Sequence, residues 1–118
     1  MSITNTAMRK RIHRAVDYWR SILGLDSWGL GIIFDEQNDL ANCHAKPIYE
    51  EAVLAFNLPR IRSELPPAYA AIEELVLHEL VHCFDFEASE RKVSRYTRSL
   101  LRARDSGKLK RRQNRTVG

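Results

Sequence analysis

Cysteine is scarce in this chain, and the two that occur, Cys43 and Cys83, have no C-x-x-C spacing. That excludes a disulfide-stapled scaffold and a zinc ribbon, and it fits a reducing cytoplasm. Long apolar runs are missing as well. No stretch approaches the roughly 18 consecutive apolar residues of a membrane span, and the basic cluster Arg9, Lys10, Arg11 and Arg14 has no apolar segment behind it. Neither a membrane anchor nor a secretory leader is expected. Glycine is sparse, and its one closely spaced pair, Gly29 and Gly31, lacks the third glycine and the strand-then-helix setting of a phosphate loop. The pair reads instead as close backbone approach in a sheet. A chain of 118 residues has room for one modest core and not for a second.

What is present is organised around Ala71 to Phe86, A-I-E-E-L-V-L-H-E-L-V-H-C-F-D-F, in which His78, Glu79 and His82 form H-E-x-x-H. At about 3.6 residues per turn the two histidines project from one helical face, a turn apart, where two imidazole nitrogens can take neighbouring corners of one tetrahedral zinc. Glu79 lies beside that face, placed to act on a water as general base without becoming a ligand. The surrounding residues support a helix. Ile72, Val76, Leu77, Leu80, Val81, Cys83 and Phe84 fill about half the wheel, while Glu74, His78, His82 and Asp85 gather opposite. Prolines 66 and 67 suit a helix start, so the helix is expected from about Pro67 to Phe86, with Cys83 a buried thiol.

The run V-L-H-E-L-V-H-C-F, preceded by a short strand-rich segment and followed by E-x-x-V-x-R-Y-x-R-x-L, resembles the zincin metallopeptidases in their smallest form. It looks most like minimal gluzincin-type domains and the small metallopeptidases encoded by phages and prophages. The resemblance covers roughly Trp28 to Leu101. It implies a zinc-dependent peptidase, a short sheet packed on the active-site helix, a third protein ligand from a following helix, and an edge strand that pairs with an extended peptide. The strand it implies for that role is the one before the active helix, Ala52 to Leu58. The spacing departs from the gluzincin pattern, because Glu90 follows His82 after only seven residues with no glycine for a tight reversal.

The other elements follow from periodicity. Met8, Ile12, Ala15, Val16, Trp19, Ile22 and Leu23 mark an amphipathic helix that ends at Gly24 and covers the sheet, with His13 a solvated side chain off its stripe. Leu30, Ile32 and Phe34 alternate within Trp28 to Asp35, a strand. Asn42 to Tyr49 and Ala52 to Leu58 read as two more strands joined at Glu50 and Glu51, with Pro47 at an edge or strand end. The fold class expected is α+β and zincin-like: an N-terminal helix, a small sheet of three strands or slightly more, the H-E-x-x-H helix and a C-terminal helix. One domain is expected over residues 1–104, with a basic tail over 105–118.

Four residues compete to be the third metal ligand. Glu90 opens a new helical pattern with Val93, Tyr96, Thr97, Leu100 and Leu101, and is expected to face inward with them, where a carboxylate wants a partner such as zinc. It could equally be a carboxylate at a helix start. Glu87 is a second possibility. Asp85 lies a turn beyond the histidines and suits the orientation of a histidine or of a substrate group. His44 sits in a strand whose neighbour Cys43 must point to the opposite face.

Charge is segregated. From Arg91 onward there are eleven bases against one acid, whereas the first ninety residues hold eight bases against fourteen acids. Lys108, Lys110, Arg111, Arg112 and Arg115 could contact phosphate backbones or simply keep the chain soluble, and no aromatic residue among them offers base stacking. Two function classes result. The first is a zinc metallopeptidase in which Glu79 activates water held by His78, His82 and Glu90. The alternative is a non-proteolytic, zinc-containing regulatory or nucleic-acid-binding protein that uses its basic tail.

Overall fold

The computed structural model describes residues 4–35, 39–66 and 69–109, and these form an α+β fold. Helix α1 spans Asn5–Ile22, strand β1 Gly29–Phe34, strand β2 Ala41–Lys46 and strand β3 Glu51–Phe56. Helices α2, Leu58–Glu64, α3, Tyr69–Phe84, and α4, Glu90–Asp105, complete it. Thr4 caps α1 by accepting from the Ala7 amide. At the other end the Leu25 amide reaches back to the Arg20 carbonyl across Gly24, whose φ of 74° is the left-handed conformation that glycine adopts without strain.

The sheet has the order β1-β3-β2, with β1 parallel and β2 antiparallel to β3. This corrects the expectation that the strand before the active helix forms the sheet edge. Segment 51–56 is paired on both sides, so its backbone is already committed, and among the described residues the sheet edge on the side of α3 is β2. Alternation puts Leu30, Ile32, Phe34, Cys43, Ala45, Leu54 and Phe56 against the helices. Gly29, Gly31, Ile33, His44, Lys46, Glu51 and Val53 are exposed on the other face. A Cβ on Gly29 or Gly31 would meet Glu51 at 3.8 Å or Val53 at 3.7 Å, ordinary contacts, so close backbone approach does not explain these glycines.

A second correction concerns residues 57–64, part of which was expected as strand end and lead-in. They hold α2, capped by the Asn57 side chain accepting from the Arg60 amide and carrying Pro59 in its first turn. Both are standard start signals. The expected start of α3 at Pro67 lies outside the described residues, and its observed end is Phe84 rather than Phe86. Helix α1 lies mainly along α3 and meets the sheet at Phe34, where Arg9 stacks 4.9 Å from the ring centroid and exposed His13 makes an edge contact at 5.9 Å. Most of the tail, 110–118, lies outside the described residues.

Three helices are tied together at one buried carboxylate. Glu73 on α3 is 4% exposed and accepts from Trp19 Nε1 on α1 at 2.8 Å and from Arg104 Nη1 on α4 at 2.6 Å. The hydrogen bond to Glu73 holds the Arg104 guanidinium well above its ordinary pKa. Removing the carboxylate leaves the buried Trp19 Nε1 without an acceptor, while Arg104, partly exposed, keeps Asp105, so the loss is about 1–3 kcal/mol. Glu73→Ala is therefore expected to lower stability by about that amount in urea denaturation, and Glu73→Gln, which keeps an acceptor for Trp19, by clearly less. Equal losses in the two variants would show that the charge contributes nothing.

Candidate metal centre

Helix α3 is buried around most of its circumference, by Ile72, Glu73, Val76, Leu77, Glu79, Leu80, Val81 and Cys83. The remaining strip, which carries Ala71, Glu74, Leu75, His78 and His82, faces a groove of about 1040 Å³. The opposite wall is β2 from Ala41 to Lys46 with Asp39 and Leu40, and Leu65, Phe86 and Glu90 close the ends.

His78 and His82 stand with ring centroids 5.0 Å apart. The His78 Nε2 lies 2.9 Å and the His82 Nε2 3.0 Å from the same Glu90 oxygen, Oε1. Among the described residues these three are the group whose donor atoms converge, all within 4.8 Å of one another. Each histidine side chain is 24% exposed and that of Glu90 is 70% exposed, so the centre sits at the lip of the groove and opens to solvent. The hydrogen bond from His78, helped by that from His82, holds the Glu90 carboxyl below its usual pKa.

Glu90 is thus brought to the histidines, but not by the inward orientation expected of it. It is the first residue of α4, and its side chain leaves the helix toward the groove rather than the core. The reversal that delivers it needs no glycine. The Asp85 amide continues the α3 ladder to Val81, Ala88 N–H bonds the Asp85 carbonyl, and Ser89 caps α4 by accepting from the Lys92 amide at 3.2 Å. The other candidates go elsewhere. Asp85 pairs with Lys92 at 3.3 Å instead of orienting a histidine, and Glu87 is exposed in the turn. His44 pairs in register with Val53 on the outer sheet face.

Glu79 is 6% exposed and lines the same groove without joining the converging group. Burial above all, then the charges of Glu90 and Asp39, raises its carboxyl to a pKa of about 7. A carboxyl poised near neutrality both takes and gives protons readily, and a cation bound at the histidines would favour its ionised form. Cys83 is a buried thiol, as expected, and its Sγ touches that of Cys43 at 2.6 Å across the contact of α3 with β2. The hydrogen bond with Cys43, together with burial, pushes the Cys83 thiol far up. A protonated thiol does not ligate metal.

Sequence reasoning missed Asp39 and the β2 wall, since neither carries a local signal. Comparison of the chain with protein-family models, characterised proteins and solved structures finds no match.

Two imidazoles and a carboxylate converging on one point are the donor chemistry of zinc, and the exposed Glu90 side chain has freedom to admit an ion between them. Titration is expected to find about one zinc per chain, and His78→Ala or His82→Ala to abolish it. Glu90→Ala should weaken binding more than Asp85→Ala or Glu87→Ala. A ranking led by either of the last two would overturn the assignment of Glu90.

Proposed function

We propose that the chain is a zinc-dependent metallopeptidase of the H-E-x-x-H type. The observation that carries this reading is the joint placement of His78, His82 and Glu90 at the lip of the groove with buried Glu79 lining it. Zinc held by those three residues supplies Lewis acidity toward a carbonyl oxygen and makes a nearby water more acidic. Glu79, buried and lining the same groove, takes the proton from the attacking water and returns it to the leaving amine.

The substrate lies along β2. Among the described residues this strand has a strand partner on one side, β3, so its other edge offers backbone donors and acceptors to an extended peptide within reach of the histidines. The apolar side chains of Leu40, Leu65, Leu75 and Phe86 line the same groove and suit side chains of the bound segment. No described helix is long and apolar enough to cross a membrane.

A structural zinc site closes its shell with four protein donors, whereas among the described residues only three converge here. That favours an enzyme over the non-proteolytic alternative. In Glu79→Gln the amide keeps the volume but cannot accept a proton, so zinc content and folding should persist while peptide cleavage falls by about 10²–10⁴-fold. The assay compares cleavage of an unstructured protein library by wild type and variant matched for zinc. Equal activity in the two would contradict the role of Glu79.

A further inference from the structure

Helix α4 carries Glu90 at its first residue, and the rest of its outward surface has a different character. Arg91, Arg95, Arg98 and Arg102 follow one another at intervals of four, three and four. At about 100° per residue they share roughly 60° of arc, and at about 1.5 Å per residue the row is roughly 16 Å long. All four are exposed and lie opposite Val93, Thr97 and Leu100, which bury the helix against the core.

Like charges one turn apart destabilise a helix, so a row of this kind normally carries interleaved acids. Here the acids nearby leave the row uncompensated: Glu87, in the turn before the helix, is exposed and makes no ion pair with it, and the others are engaged elsewhere. Glu90 turns to the histidines, Asp85 pairs with Lys92, Glu73 with Arg104, and Asp105, at the flank of the row, with Arg104 Nε. Among the described residues none of the four arginines has an ion pair. The row therefore bears its self-repulsion with no compensation inside the fold, and an external polyanion would relieve it.

We propose that the outward face of α4 is a docking surface for the phosphate backbone of double-helical nucleic acid. Guanidinium groups bind phosphate through paired hydrogen bonds, which a compact ammonium cannot do, and the row is made of arginine throughout. A straight rigid helix face presents charges at spacings a duplex backbone can meet. The aromatic residue of α4, Tyr96, lies to the side of the row and stacks on Phe84, so no ring stands among the arginines to take an unpaired base. This favours duplex over single strands and recognition without sequence preference. Lys108 continues the basic run beyond the helix. This surface is independent of the metal centre, so neither reading falls with the other.

The test uses the full chain and the variant Arg95→Gln/Arg98→Gln/Arg102→Gln, which leaves Glu90 and its neighbour Arg91 intact. Binding of labelled 20-base-pair DNA and RNA duplexes is followed by fluorescence anisotropy between 50 and 200 mM salt. Wild type should bind with a steep salt dependence. The triple variant should bind about tenfold more weakly or worse, with the slope of log K against log salt reduced by about 0.9 for each phosphate it no longer neutralises. Its circular dichroism should match wild type and its thermal midpoint should be no lower, since the repulsion along the row is relieved, which separates lost docking from lost folding. A second full-length variant, with Lys110, Arg111, Arg112 and Arg115 all changed to Gln, measures the tail alone. The proposal is overturned if wild type binds neither duplex at 50 mM salt, if the triple variant binds as tightly as wild type, or if anionic phosphatidylserine vesicles bind and duplexes do not. Preference for the DNA or the RNA duplex identifies the source of the backbone.

Discussion

Every layer of this protein is packed on α3, and that leaves the helix a single strip of surface with which to do chemistry. Helix α1 lies along one side, α4 along another, and β2 and β3 approach from a third. A helix covered in this way needs apolar residues nearly all round, and the buried circumference of α3 has them apart from Glu73, whose charge is met by Trp19 and Arg104, and Glu79, which lines the groove. The strip that remains faces the groove. Its polar side chains are therefore held by a backbone that cannot rotate without unpacking the core, and a precise metal site needs that rigidity.

The placement of Glu90 comes from a different principle. Glu90 is not fixed by burial, since most of its side chain is exposed, but by the cap that starts α4 directly above the histidines. A carboxylate at a helix N-terminus is favoured by the free amides there, and two imidazoles within hydrogen-bonding distance favour it again. The same helix then sends its arginines to the far side. Acids collect around the groove, as Asp39, Glu74, Glu79 and Glu90, and unpaired bases collect on the outer face of α4.

Periodic elements were legible in the sequence because side-chain spacing alone determines them. The stripe from Met8 to Leu23, the alternation of Leu30, Ile32 and Phe34, and the wheel of α3 all correspond to observed elements with boundaries shifted by about two residues. The α+β class followed from them. Helix α2 was missed although Asn57 and Pro59 announced it, because the apolar residues preceding it extended the strand pattern. Sheet order was legible only in part: Pro47 marked the edge position and end of β2, but alternation says which face a residue takes and nothing about which strand lies beside which. Glu90 was named for an inward face it does not occupy. Its position depends on where α3 ends and on the Ser89 cap, and these fix the direction of a side chain that helical spacing alone misplaces.

The central claim is that His78, His82 and Glu90 form an open zinc site. X-ray absorption at the zinc edge of the loaded protein tests it most directly, because nitrogen and oxygen ligands at about 2.0–2.2 Å are distinguished from sulfur at about 2.3 Å. The account predicts two imidazoles and oxygen in the remaining positions, with one oxygen position exchangeable by a small anion such as azide. A sulfur ligand from Cys43 or Cys83, or a shell that no added anion perturbs, would contradict it.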